Sequence, residues 1–185
     1  NLRPNNAKVN NSAKQTTGAV SFADLYSMTT GLIGQKNRRG ALMLSMPITH
    51  PDSIEFINLK TDLDRVTKAN TSVMITDDFM QAVKDNKDWV MKFIVEDTGE
   101  VITRTEKAKD MLYLLAKNNW GVAEPGALYW QRVEGWHLNS ENPNFKYAST
   151  NPCGEKPLVS GGSCLLSSIN LSEYVVNPFT DESYF

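Results

Sequence analysis

The chain has 185 residues, 41% hydrophobic and 22% charged, the balance of an ordinary globular protein with enough apolar material for a core. A net charge of −2 excludes the broad basic field that holds nucleic acid nonspecifically, though a few basic residues can still build a nucleotide site. No run approaches the roughly eighteen apolar residues of a membrane span, and no charged-then-apolar leader opens the chain, so the expectation is a cytoplasmic protein without membrane contact.

Residues 1–17 are polar and rich in Asn, Lys and Thr, an exposed loop or a segment ordered against a ligand or partner. Ser21 is a good N-cap, and Phe22, Leu25, Tyr26, Thr29, Leu32 and Ile33 then share one face at helical spacing. Gly31 and Gly34 mark the helix end, and Gln35 to Gly40 form a loop. Ala41 to Met46 reads as a buried strand, Ile54, Phe56 and Ile57 as a short helix after Pro51, and Thr71 to Ile75 as a second strand. Thr76 caps a helix through Asn86, with Asp77 and Asp78 in its first turn, where the helix dipole favours anions.

Lys92 to Val95 and Val101 to Thr105 flank Asp97-Thr98-Gly99, a hairpin signal and an excursion from the main sheet. A helix from about Glu106 to Asn119 turns Ala108, Met111, Leu112 and Leu115 inward, with Gly121 as its stop. Ala127 to Val133 is strand or helix, Trp136 to Tyr147 is loop, and a short run from Cys164 to Leu171 follows a Gly161-Gly162 turn. Trp120, Trp130 and Trp136 read as packing residues, His50 as a turn residue before Pro51, and His137 as too isolated for a metal or base role; Tyr113 and Tyr129 are not read as radical carriers.

Strands alternating with helices predict an α/β fold with partly parallel strands, too few here to close a barrel. The two cysteines, Cys153 and Cys164, make neither a disulfide framework nor a zinc pattern, and composition alone reads them as buried thiols packing as small apolar groups. Asn151-Pro152-Cys153-Gly154-Glu155 offers another reading. In an extended segment Asn151, Cys153 and Glu155 point one way, uniting an amide that orients, a thiol that does redox or nucleophilic work, and a carboxylate that takes a proton. The same residues also read as a turn, since Asn-Pro and Cys-Gly are common loop dipeptides, and spacing alone tilts that way.

The stretch STNPCGEKPL (149–158), followed by GGSCLLSSINLSEYV (161–175), resembles the large subunit of ribonucleotide reductases, most of all the adenosylcobalamin-dependent members and their diphosphate-reducing bacterial relatives. LRP (2–4), TGAVSFADLY (17–26), GQKNRRGALM (34–43), HPDSIEFI (50–57) and EPGALYWQRV (124–133) have counterparts there in the same order, so the resemblance covers nearly the whole chain.

The resemblance implies the middle of a ten-stranded α/β barrel of the ribonucleotide reductase and glycyl-radical type. Residues 1–40 would be effector-specificity loops and their helix, 41–148 barrel strands and helices with the hairpin excursion, and 149–175 the finger loop and a following strand. It makes Cys153 the thiyl residue that abstracts the ribose 3′-hydrogen, Glu155 the acceptor of the 3′-hydroxyl proton, and Asn151 the amide that holds the sugar hydroxyls. Cys164 would be one of two cysteines that supply reducing equivalents, its partner expected before Asn1. Gln35, Lys36, Arg38 and Arg39 match a loop linking a dNTP or ATP effector to the substrate, a task suited to guanidinium forks; the plain alternative is a basic surface turn.

The substrate implied is a ribonucleoside diphosphate, the reductant of thioredoxin type, and the assembly a homodimer through the specificity region. The radical source implied is adenosylcobalamin or a metal-containing small subunit, neither held by residues identifiable in this chain. Alone, the chain is expected to be inactive. Two other readings are a glycyl-radical enzyme, which needs a C-terminal glycine loop not seen here, and a noncatalytic nucleotide-binding or dimerisation module with Cys153 inert.

Overall fold

A parallel three-stranded sheet in the order β1 (Met43–Pro47), β2 (Asn70–Ile75), β5 (Gly126–Tyr129) organises the computed structural model, which describes residues 2–34, 39–135, 137, 139 and 141–185. Central β2 buries Thr71, Ser72, Val73 and Ile75, side chains from both of its faces. The first crossover carries α2 (Ser53–Asn58) and a 3₁₀ turn (Leu59–Thr61). The second carries α3 (Asp77–Lys84), an antiparallel ribbon of β3 (Asp88–Ile94) with β4 (Val101–Lys107), and α4 (Ala108–Val122). Ile48, Phe56, Ile57, Val73, Ile75, Phe79, Met91 and Met111 form the core between sheet and helices.

The α3 cap forms as its sequence predicts, with Thr76 Oγ1 accepting from the Phe79 amide at 3.2 Å and both aspartates in the first turn. Ala108, Met111 and Leu115 of α4 are buried. Its stop, however, is Ala123 rather than Gly121, in left-handed backbone at φ 62°. An alanine holds that position because the Ala123 amide donates to Asn119 O at 2.7 Å, and Asn119 Nδ2 reaches back to the carbonyls of Ala123 (3.3 Å) and Pro125 (3.1 Å). Ala127 to Val133 is both of its alternatives in turn: β5, then α5 (Trp130–Gly135).

Helix α1 (Ala19–Leu32) starts two residues before the expected cap. Gly18, at φ 88°, is the N-cap, and a Cβ there would lie 2.8 Å from atoms of Asn5 and Asp52. The carboxylate of Asp52, at the start of α2, takes the Ala19 amide at 2.9 Å and so supplies the cap from another element. The helix buries Ala19, Ala23 and Ser27, and the apolar face anticipated from spacing is turned largely outward, with Leu32 78% and Ile33 73% exposed. The small residues win the inner side because the loop after α2 comes close: the Lys68 amide donates to Ser27 Oγ at 3.0 Å and Arg65 pairs with Asp24 at 2.5 Å.

Two further expectations are corrected. Trp130 is buried, but Trp120 is 91% exposed on the outer face of α4; Trp136 lies outside the described residues. The run from Cys164 to Leu171 has no strand, with Leu165 and Leu166 almost fully exposed, because no described strand lies beside it to pair with; a 3₁₀ turn (Leu171–Tyr174) follows. The α/β class stands. Among the described residues the strands make one parallel sheet and two antiparallel ribbons rather than a closed barrel, and no helix is long and apolar enough to cross a membrane.

Candidate active site

The third sheet is a hairpin of β6 (Tyr147–Thr150) and β7 (Pro157–Val159), paired Thr150 to Pro157, and its loop is residues 151–156. The loop is a turn, not the extended strand that alternation would need. The Asn151 amide donates to Lys156 O at 3.1 Å, the Lys156 amide returns to Asn151 Oδ1 at 3.0 Å, and the Gly154 amide donates to Asn151 O at 3.0 Å. Asn151 thus closes the turn with backbone and side chain together, as Asn does in loops. Gly154 sits at φ 85°, left-handed backbone that a residue without Cβ adopts freely.

The turn brings two of the sequence-predicted groups together by a route other than strand alternation. Asn151 Nδ2 donates to Glu155 Oε1 at 2.6 Å. Cys153 lies between them in the chain, free and exposed, against the expectation of a buried thiol. Cys164 is half-buried and also free, beyond the Gly161-Gly162 turn that closes on Val159 O at 3.0 Å.

Contacts from outside the hairpin hold it across the sheet. Asn70 Nδ2, at the start of β2, donates to Pro152 O at 2.6 Å; Ser45 and Ser149 hydroxyls meet at 3.0 Å between β1 and β6; and Met43 and Leu128 lie beneath Gly154. Beside the hairpin is an apolar cavity of about 850 Å³ lined by Leu128, Tyr129, Arg132, His137, Tyr147 and Pro157, among others. The His137 ring packs there on Phe145 at 4.9 Å and Tyr147 at 5.1 Å. No sequence signal marked this wall, since its members are spread over some thirty positions and meet only when the hairpin folds back.

At the other end, the N-terminal segment is an arch bridged from Lys8 to Gln15. Fully buried Asp52 accepts from the amides of Asn5 and Ala19, with Arg104 of β4 at 3.8 Å. His50 shapes the turn as read: its Nδ1 accepts from the Asp52 amide at 3.0 Å, which leaves Nε2 to donate to Leu2 O at 3.1 Å. Burial pushes the imidazole below its ordinary value, outweighing the opposite pull of the Leu2 carbonyl, Asp52 and Glu55. Arg39 is exposed; Gln35, Lys36 and Arg38 lie outside the described residues. A Cβ on Gly40 would lie 2.5 Å from the Thr30 carbonyl, so the chain after that loop returns hard against the end of α1.

The family model of the ribonucleotide reductase barrel domain matches residues 1–185. The chain is similar to the vitamin B12-dependent ribonucleoside-diphosphate reductase of Thermoplasma acidophilum, 37% identical over 181 residues, which cover 95% of this chain and 22% of that protein. It is 30% identical over 185 residues to the protein of the same description from Mycobacterium tuberculosis, covering 97% of this chain and 26% of that one. A vitamin B12-dependent ribonucleotide reductase of Rhodopirellula baltica is 30% identical over 184 residues, covering 86% of this chain and 17% of the relative. The chain therefore spans about a quarter or less of the length of these relatives, and with the barrel-domain match running from end to end it belongs to the ribonucleotide reductase family.

Proposed function

We propose that this chain carries the hydrogen-abstracting centre of a B12-dependent ribonucleoside-diphosphate reductase, the turn 151–156 being the finger loop of a barrel completed by other parts of the enzyme. The observation that carries the reading is the 2.6 Å tie between Asn151 and Glu155 on either side of an exposed, free Cys153. The thiyl form of Cys153 takes the 3′-hydrogen of the ribose. Glu155 accepts the 3′-hydroxyl proton, which eases departure of the 2′-hydroxyl as water, and Asn151 holds the sugar hydroxyls against the sulfur.

Cys164 and a second cysteine supply two electrons and two protons, which turn the 2′-hydroxyl into water and put hydrogen on the 2′-carbon, and become a disulfide. The 3′-hydrogen then returns from Cys153, and a thioredoxin-type dithiol restores the pair. The balance is ribonucleotide plus dithiol giving 2′-deoxyribonucleotide, disulfide and water.

Adenosylcobalamin supplies the radical when bound. A corrinoid would need further walls, since among the described residues the cavity beside the hairpin is lined from β5, α5, His137, Tyr147 and Pro157.

Residues 1–40 serve as the effector region, with the 35–39 loop toward a dNTP or ATP, 41–148 as barrel scaffold, and 149–175 as finger loop and its continuation. The outward apolar face of α1, where Leu25, Tyr26, Met28, Leu32 and Ile33 are exposed, supports a homodimer through this region.

The test is substitution in the complete reductase that contains this chain. Cys153→Ala should abolish deoxyribonucleotide formation, and Glu155→Gln should lower kcat by about 10²- to 10⁴-fold with the fold intact. Turnover by Cys153→Ala at the unaltered rate would end the reading.

A further inference from the structure

The N-terminal arch is poorly held by itself. Across it run the Asn6 amide to Thr16 O, the Thr16 amide to Ala7 O and the Val9 amide to Lys14 O, each about 3 Å, and its other internal bonds are short-range turns such as the Ala7 amide to Pro4 O and the Lys14 amide to Asn11 O. Beyond Asp52 and His50, which hold Asn5 and Leu2, its support comes from the β3–β4 ribbon, some ninety residues away in sequence. At the ribbon's tip, Arg3 pairs with Asp97 while also donating to Lys8 O, and the Lys8 amide donates to Glu100 Oε2 at 2.9 Å. At its base, Arg104 of β4 spans Glu55 (2.5 Å) and Asp52 (3.8 Å), the carboxylate that takes the Asn5 and Ala19 amides, and Phe93 of β3 lies edge-on to His50 at 5.4 Å.

The ribbon is no free excursion. Trp89 and Met91 of β3 join the core, the Lys92 amide donates to Thr49 O at 2.9 Å, and β4 runs directly into α4, which leads to β5 beneath the candidate loop.

We propose that the β3–β4 ribbon is a strut that holds the N-terminal arch in its effector-competent shape, with Asp97 and Glu100 as positioning residues for the effector response. The proposal rests on residues 1–40 being the effector region. An arch with a small core and mostly exposed bonds samples open forms readily, and an effector that needs the closed form binds more weakly by the fraction lost. The ribbon's turn does not depend on the two carboxylates, because the Val95 amide donates to Glu100 O and the Gly99 amide to Val95 O, both at 2.8 Å.

The experiment is Asp97→Ala with Glu100→Ala in the complete reductase. It reads hydrogen exchange at the amides of Asn6, Val9 and Thr16, the half-saturating concentrations of dATP, dGTP and dTTP, and turnover without effector. Exchange should quicken and half-saturation rise by about three- to tenfold, the scale of two exposed charged contacts, with effector-free turnover unchanged. Asp97→Glu, which keeps a partner for Arg3, should stay close to the unaltered enzyme. Unchanged exchange at all three amides overturns the strut, and quicker exchange with an unaltered dNTP response overturns its regulatory role. If the unaltered enzyme itself ignores dNTPs, the effector assignment of residues 1–40 fails, and the exchange result still decides whether the ribbon supports the arch.

Discussion

Replacing Asn151 with Asp keeps the size and the Oδ1 acceptor that the Lys156 amide uses at 3.0 Å, but it turns a donor facing Glu155 into a second carboxylate. At the present 2.6 Å separation, two unit charges repel by roughly 1.6 kcal/mol in a fully water-like dielectric and several times that in a partly shielded one. Both side chains are at the surface, so the lower figure is the better guide, equivalent to roughly one pH unit. The pair then keeps a shared proton to higher pH, or Glu155 swings off its partner; either way the base is less available on the acid side. The acid limb of kcat for deoxyribonucleotide formation by the complete enzyme should move up by about one pH unit. Asn151→Ala removes the donor without adding charge, and should lower kcat at all pH values without moving the limb. Superimposable pH profiles for Asn151→Asp and the unaltered enzyme would refute the coupling of Asn151 to a catalytic Glu155.

At Gly154 the nearest side-chain atoms to an added Cβ are 3.8 and 4.0 Å away, so Gly154→Ala should cost only its left-handed backbone, about 1–2 kcal/mol in denaturant unfolding, and Gly154→Asn should recover part of this. Leu32→Glu with Ile33→Glu places charge on the exposed end of α1; sedimentation should show loss of a dimer with little change in melting temperature, and an unchanged dimer would exclude this face. His50 has a folded pKa below its unfolded value of about 6.5, so its contribution is complete above that value and is lost as pH falls through the folded one. Exchange of the arch amides, corrected for intrinsic rates, should therefore quicken as pH falls below about 6.5, and in His50→Gln that step should disappear.

The sequence was most legible where one residue decides a local structure. Thr76 and its aspartates, the inward face of α4 and the Asp97-Thr98-Gly99 turn needed no knowledge of neighbours. It misled where a neighbour decides. The outer face of α1 carries the hydrophobic period, yet Ala23 and Ser27 pack inward, because the Lys68 loop lies too close for larger side chains. The Gly18 cap is invisible locally, since the oxygen that completes it belongs to Asp52, more than thirty residues on. At the candidate loop, residue types were readable and geometry was not: alternation placed Asn151 and Glu155 on one side of a strand, whereas a turn closed by Asn151 itself brings them together.

That difference bears on what the loop is for. A turn of this kind is already complete with the three bonds that link Asn151, Gly154 and Lys156 through backbone groups. The further bond from Asn151 to Glu155 buries nothing and costs side-chain freedom, so it adds little to stability. What it does is fix a carboxylate within one turn of an exposed thiol, and the Asn70, Ser45 and Met43 contacts then fix that turn over the sheet. A thiol kept only for packing would lie inward, where free cysteine usually goes. The turn orders an amide and a carboxylate next to an exposed thiol in the chain, which is intelligible if, as proposed, a sugar ring is what the three groups meet.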